Sequence, residues 1–195
     1  MHRFTDNGKY NEAFQDNISV VCPKCAEHAT VTTKHPGSTK NVKIIFASCG
    51  FNQTGSDSAW HGPTVGIVRR RCKYCGRWLK KIIHGSKHAF KQKLTCPGCQ
   101  CVMVENITWH KKSNLGAYDP HFGLKLWFVG NIKGQAFWAY NREHLTFIKN
   151  YVTAKIRIRE PNSNRSLVSR LPSWLLSTKN RLAVKKEINK MQSAK

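Results

Sequence analysis

Cys72-Lys73-Tyr74-Cys75-Gly76-Arg77-Trp78-Leu79-Lys80-Lys81-Ile82-Ile83 is followed, twenty residues after Cys75, by Cys96-Pro97-Gly98-Cys99. This stretch decides the fold. A Cys-x-x-Cys pair offers two thiolates from one tight turn, which is half of a tetrahedral zinc site. The separation of the two pairs falls near the upper end of the spacing that zinc sites use. A short β-like run, Trp78–Ile83, leaves the first knuckle, and Lys91-Gln92-Lys93-Leu94-Thr95 enters the second. Cys72, Cys75, Cys96 and Cys99 are therefore expected to close on one ion.

Working outward, a third pair stands at Cys22-Pro23-Lys24-Cys25. With Cys49 as a natural third ligand it makes a second site, and His28, His35, His61 and Cys101 compete for the fourth position. An exchanged pairing stays open, in which Cys22/Cys25 join Cys72/Cys75 and Cys96/Cys99 find Cys49, Cys101 or His110. Disulfides are the other use of eight cysteines. No apolar signal segment stands at the start of the chain, so metal is the better reading and a cytoplasmic location is expected. Two Zn2+ ions with closed sites are structural, because a catalytic zinc keeps a position open for water.

The remaining pattern gives a small α+β chain. Short apolar runs at Ala29–Thr33, Val42–Ala47, Val65–Val68, Trp78–Ile83 and Val102–Val104 are separated by Gly, Asn and Ser, as strands are. Leu124–Val129 and Gln135–Tyr140 flank a Gly-rich loop and predict a β-hairpin. Asn141 is placed to cap a helix running from about Arg142 to Arg159, where Pro161 stops it. Residues 161–170 read as a polar linker, and Leu171-Pro172-Ser173-Trp174 opens a last helix to about Met191. The expected domains are an N-terminal arm or peripheral helix over 1–20, a zinc-binding β-rich domain over 21–110, and a hairpin with two C-terminal α-helices over 111–195. Trp127, Trp138 and Trp174 should pack the hairpin on the helices.

Charge carries the functional expectation. The chain has 33 Lys and Arg against 10 Asp and Glu, a net charge of +23. A polyanion is the natural partner of such a surface. Arg69, Arg70, Arg71 and Lys73 lead into the central knuckle. Arg77, Lys80, Lys81, Lys87, Lys91 and Lys93 lie on the hairpin that follows, and Lys179, Arg181, Lys185 and Lys186 crowd the last helix. Tyr74, Trp78 and Phe90 are interleaved with the central cations, a mixture suited to phosphate contact with base stacking. Each aromatic taken singly is expected in the core. No phosphate-binding Gly-rich loop, no H-E-x-x-H and no zinc-deaminase pattern occur.

The knuckles and the Cys72-x₂-Cys75-x₂₀-Cys96-x₂-Cys99 spacing resemble the zinc-ribbon group, over the middle third of the chain. That resemblance implies a structural metal and contact with nucleic acid or protein. In architecture and charge the chain also resembles the small Cas8-like large subunit of type IV CRISPR effectors. This implies a non-enzymatic subunit of a nucleoprotein complex that reads a flanking duplex motif beside an RNA-guided partner. The expected partners are thus DNA or RNA and further protein subunits, with no membrane. Two alternatives remain. One is a metal-dependent nuclease built on Asp119, His121, Glu143 and His144. The other is an adaptor whose basic helices meet an acidic protein.

Overall fold

A computed structural model describes residues 3–33, 42–45, 48–54, 60–85, 89–112, 116–159 and 166–193. In chain order the strands are β1 (Arg3–Asp6), β2 (Asn17–Val21), β3 (His28–Thr33), β4 (Val42–Ile45), β5 (Asn52–Thr54), β6 (Thr64–Arg71), β7 (Trp78–Gly85), β8 (Lys91–Thr95), β9 (Val102–Asn106), β10 (Thr108–Lys111), β11 (Phe128–Ile132), β12 (Gln135–Ala139) and β13 (Ile156–Arg159). The helices are α1 (Arg142–Thr153), the single turns α2 (Leu167–Arg170) and α3 (Ser173–Leu176), and α4 (Arg181–Ser193). The class is mixed α and β, with a β-rich N-terminal half and two longer helices, α1 and α4, toward the C-terminus. No helix among the described residues is long and apolar enough to cross a membrane.

The chain makes two compact units. Trp60–Leu115 forms one, inserted in sequence between the two parts of the other, Met1–Ala59 and Gly116–Lys195. The two parts of the discontinuous unit share a core. Ile18, Val20, Ala29 and Val31 are buried together with Phe122, Leu126, Phe128, Leu145, Ile148, Val184 and Ile188.

In the discontinuous unit, β2, β3, β4 and β5 form an antiparallel sheet in that order. Alternation explains β2: Ile18 and Val20 are wholly buried, and Asn17 is exposed. The edge of β2 away from β3 is also satisfied. Ser19 donates to the Tyr140 carbonyl at 2.7 Å, and Trp127 donates to the Ser19 carbonyl at 2.9 Å. The first twenty residues are thus strand-bearing rather than an arm or a peripheral helix. Their helical content is a 3-10 turn, Asn11–Phe14, which buries Phe14.

Three further expectations are corrected here. The first hairpin strand is shifted, with β11 running from Phe128 to Ile132, because Lys133 and Gly134 alone form the turn. Both have positive φ, 52° and 82°, the geometry of the two-residue turn that matches strand twist. The helix after Asn141 stops at Thr153, and Ala154 is extended. Lys155-Ile156-Arg157-Ile158-Arg159 then alternates with period two and pairs, in parallel, with β1. The expected single last helix is broken into α3, a 3-10 turn (Thr178–Asn180) and α4, and α2 falls in the stretch expected as a linker. Ser177 is extended, and Asn180 Nδ2 donates to the Trp174 carbonyl at 2.7 Å across the break. Of the supposed linker, residues 161–165 lie outside the described residues, and Leu167 and Val168 are buried.

The predicted cap is present. Asn141 Oδ1 accepts from the His144 amide at 2.8 Å, and Asn141 Nδ2 donates to the carbonyls of Phe14 and Asn17, both at 2.9 Å. One side chain therefore starts α1 and ties it to the segment before β2. Trp127, Trp138 and Trp174 are partly buried against the same core, as expected.

The inserted unit consists of a three-stranded antiparallel sheet, β10-β6-β7, and the β8-β9 hairpin. Its interior is Val68, Leu79, Leu94, Met103 and Ile107 with Cys72 and Cys96. Gly66 is required in β6 because a Cβ there would stand 2.7 Å from Ile107 Cγ2 and 3.2 Å from the Trp109 ring.

Candidate metal centres and cation surface

All three Cys-x-x-Cys segments adopt one backbone turn. In each, the first cysteine's amide donates to the carbonyl five residues on: Cys22 to Glu27 at 2.8 Å, Cys72 to Arg77 at 2.8 Å, Cys96 to Cys101 at 2.9 Å. The amide after the second cysteine returns to the first cysteine's carbonyl: Ala26 to Cys22 at 3.0 Å, Gly76 to Cys72 at 3.0 Å, Gln100 to Cys96 at 2.9 Å. That residue lies in the left-handed region each time, with φ of 62° at Ala26, 71° at Gly76 and 57° at Gln100. Glycine enters this region freely, so Ala26 and Gln100 hold a strained backbone that the turn enforces.

The turn aims amides at sulfur. Lys24 and Cys25 donate to Cys22 Sγ at 3.4 and 3.5 Å, and Gly98 donates to Cys96 Sγ at 3.4 Å. Amides favour the thiolate. The amides of Cys75 and Tyr74, with help from the Cys101 and Cys99 thiols, pull Cys72 down to about 6 against the opposing effect of burial. The amides of Cys99 and Gly98 lower Cys96 in the same way.

Two sulfur clusters result. Cys72, Cys75, Cys96 and Cys99 place their Sγ atoms within 4.8 Å of one another, and Cys22, Cys25 and Cys49 do the same. Sγ separations are 3.5 Å for Cys72–Cys99, 3.4 Å for Cys75–Cys96 and 3.6 Å for Cys22–Cys49. Disulfide sulfurs would be about 2.05 Å apart. Four sulfurs at roughly 2.3 Å from a tetrahedral ion lie about 3.8 Å apart along each edge, and the observed spacing is close to that. The donor set fits a thiophilic dication, and charge argues the same way. The Arg77 amide pulls Cys75 down, yet the thiols of Cys96, Cys72 and Cys99 together with burial push it up to about 11. Cys99 is likewise pushed up to about 11, burial and the Cys101 and Cys72 thiols outweighing the amide of Cys101. Four thiolates this close need a cation among them.

The grouping settles the cysteine partners. Cys22/Cys25 meet Cys49, and Cys72/Cys75 meet Cys96/Cys99, so the exchanged pairing is not the one formed. Among the described residues no fourth Cys, His, Asp or Glu joins the first cluster. His28 is exposed and packs edge-on against Trp127 at 5.2 Å. His61 belongs to the inserted unit, and His35 lies outside the described residues. Cys101 sits at the four-thiol cluster, 3.2 Å from both Cys72 Sγ and Cys99 Sγ. Its Cys99-x-Cys101 spacing is the signal that points there, since one residue past the knuckle leaves no room to reach elsewhere.

The cations of the inserted unit take two faces. Arg69 and Arg71 share one face of β6 with their partners on β7, Lys80 and Trp78. Their guanidiniums lie 5.3 and 4.9 Å from the Trp78 ring. With Arg70, Lys73 and Trp78 they line a shallow concavity. Arg70 alternates with them along β6, opposite Leu79, and its Nε is 3.0 Å from Glu105 Oε2. Arg77, Lys81, Lys91 and Lys93 are exposed, and Lys87 lies outside the described residues. In the discontinuous unit Lys179, Lys185 and Lys186 are exposed, whereas Arg181 is half-buried.

The aromatics interleaved with these cations are not in the core. Tyr74 is 75% exposed, Trp78 56% and Phe90 78%. The core of the inserted unit is small: among its described residues seven side chains are buried together, and none of these rings is one of them.

Among the described residues no group of three or more metal-ligating side chains includes Asp119, His121, Glu143 or His144. Asp119 is buried and spends its carboxylate on the amides of His121, Phe122 and Leu124. Burial raises it and those three bonds oppose the rise. Glu143 is exposed and pairs with Lys9 at 3.0 Å. His144 is buried, stacks on Phe14 at 4.7 Å, and accepts from the Tyr140 amide through Nδ1. Burial lowers it to about 4. No protein family matches the chain, and no curated protein or solved structure shows significant similarity to it.

Proposed function

We propose that the chain is a non-enzymatic, zinc-stabilised nucleic-acid-binding protein, with the phosphate-contacting surface on the inserted unit. The observation that carries the reading is a juxtaposition. The Cys72/Cys75 knuckle joins β6 to β7, and those two strands present Arg69, Arg71 and Lys80 on one face. A metal that fixes the knuckle fixes the cations, so little side-chain and backbone freedom is lost when a polyanion docks. Charge density supports the same unit. Trp60–Leu115 has twelve Lys and Arg and a single acid, Glu105. Zinc is the ion of choice for four thiolates in a tetrahedral structural site. The resemblance to Cas8-like subunits adds a setting, a larger nucleoprotein complex, and no residue.

The test joins metal content to binding. Elemental analysis of the purified chain is expected to find zinc bound through thiolates. Affinity for an oligonucleotide is expected to fall steeply with salt, because each phosphate contact releases a counterion. Reversing Arg69 and Arg71 to Glu should cut affinity at least tenfold. It should also flatten the slope of log affinity against log salt by about 1.4 to 1.8 for two lost contacts. Zinc-free folded protein, or unchanged binding by that double variant, would refute the proposal.

A further inference from the structure

We infer that the open face of the β10-β6-β7 sheet takes single-stranded nucleic acid, with the Trp78 indole as a platform for one base and Arg69, Arg71 and Lys80 on the neighbouring phosphates. The inference rests on the polyanion-binding reading above and narrows it to one kind of strand.

The register places the residues. Arg71 lies opposite Trp78, Arg69 opposite Lys80, and Ile67 opposite Ile82. Opposite residues of an antiparallel pair share a face, so these six form one surface. The other face of the same strands closes the core with Val68 and Leu79. On the open face Trp78 is 56% exposed and Ile82 49% exposed. A lone exposed apolar side chain needs no explanation. A tryptophan and an isoleucine aligned on one strand between three cations make a mixed surface, charged for phosphate and apolar for something flat.

A duplex would use only half of it. Its phosphates are available, but its base faces are stacked inside and give the indole nothing to cover. A single strand offers phosphates and open base faces together, and stacking on an aromatic ring tolerates any base. An acidic peptide would likewise leave Trp78 uncovered. The guanidiniums of Arg69 and Arg71 lie over the ring in the free protein. An exposed cation–π contact is weaker than base stacking. An incoming base therefore displaces a guanidinium, which then reaches the adjacent phosphate.

The experiment compares oligo(dT), its duplex with oligo(dA), an abasic strand of equal length, and poly-glutamate on the full chain. The parent protein is expected to prefer oligo(dT) over both the duplex and the abasic strand. Trp78→Ala should lose about tenfold to a hundredfold for oligo(dT) with its salt slope unchanged, and Trp78→Phe should recover most of the loss. The abasic strand examines the parent chain alone, so the result does not depend on a variant folding. Equal parent affinity for oligo(dT) and the abasic strand, or for oligo(dT) and the duplex, would overturn the single-strand assignment while leaving salt-dependent polyanion binding intact. Binding to poly-glutamate with none to any nucleic acid would overturn both readings.

Discussion

Among the described residues, the discontinuous unit buries twenty-two side chains in one core; the inserted unit buries seven, and two of those are cysteines. The first spreads over two long helices and a four-stranded sheet. The second has two small sheets and no helix among its described residues. Domains this small, with so little apolar surface removed from water, usually need a metal or disulfides to stay folded. Each unit carries a sulfur cluster, but the clusters do different things. Cys22 is one of many buried residues beside Val20 and Ala29, and a core persists without a metal. Cys72 and Cys96 are close to a third of the inserted unit's core, so there the residues that could hold a metal are themselves part of the core.

Metal removal should separate the two units most widely. Structural zinc sites in small domains contribute about 10 to 16 kcal/mol of apparent folding free energy, as much as a typical domain's whole stability of about 5 to 15 kcal/mol. A strong chelator, or Cys72→Ser with Cys96→Ser, should unfold β6 to β10. Either treatment should leave α1, α4 and the β11-β12 hairpin protected, and the chelator alone should also loosen the Cys22/Cys25 turn beside β2. Amide hydrogen exchange read strand by strand checks this. Loss of protection in both units together, or in neither, breaks the comparison.

Acid should weaken the discontinuous unit by a route of its own, through His144. Burial holds it at about 4 in the folded chain, against about 6.5 unfolded. Between those values the unfolded state takes up a proton that the folded state refuses. Stability is therefore intact above pH 6.5 and declines as pH falls toward 4, by about 3 kcal/mol in all. Denaturant titrations of the discontinuous unit across that window should show the decline, and His144→Gln should remove most of its slope, leaving the smaller part due to His121 and His28, which burial also lowers. A flat profile in the parent chain would remove His144 from the account.

Two glycines sharpen the contrast in packing. Gly66→Ala drives a methyl into Ile107 and Trp109 in the inserted unit. Gly130→Ala meets only the Glu187 side chain, its carboxylate Oε1 nearest at 2.5 Å. A small core has no slack to share the displacement, so the first should cost about 1 to 3 kcal/mol. The second should cost well under that, since a flexible carboxylate swings aside. Thermal melts followed separately in each unit decide it, and equal costs would mean that the inserted unit repacks more freely than its seven buried residues imply.

Much of this contrast was legible in the sequence, and the limits have physical causes. The four-thiol grouping and the Asn141 cap follow from local spacing, which one turn of backbone fixes. Position in the core does not follow from spacing. Tyr74, Trp78 and Phe90 look like core residues one at a time, and only the scarcity of partners in a short insertion leaves them outside. The Ile156–Arg159 strand was written in the chain as a period-two pattern. Its isoleucines also fit a helical stripe, and the partner that decides between the two, Arg3–Asp6, lies about 150 residues away. The insertion of one unit within another is a long-range fact of the same kind: Val20 and Leu126 form a bridge that no local pattern announces.

Two surface ion pairs among the described residues, one in each unit, should differ least, and the difference still bears on function. Lys9–Glu143 joins side chains that are 39% and 65% exposed; Arg70–Glu105 joins one that is 64% exposed to one that is 11% exposed. Exposed pairs contribute at most about 1 kcal/mol, and often nothing. A double-mutant cycle on Lys9 and Glu143 should therefore return close to zero, and one on Arg70 and Glu105 a larger value within that limit, because Glu105 is shielded from water. Glu105 also commits Arg70 to its own unit and turns it from the face that Arg69 and Arg71 share. Arg70→Gln should then leave the salt slope of nucleic-acid binding unchanged, while Arg69→Gln and Arg71→Gln each flatten it by about 0.7 to 0.9. If Arg70→Gln flattens it as much, phosphate outcompetes Glu105, and the division of the three arginines between two faces no longer describes the bound protein.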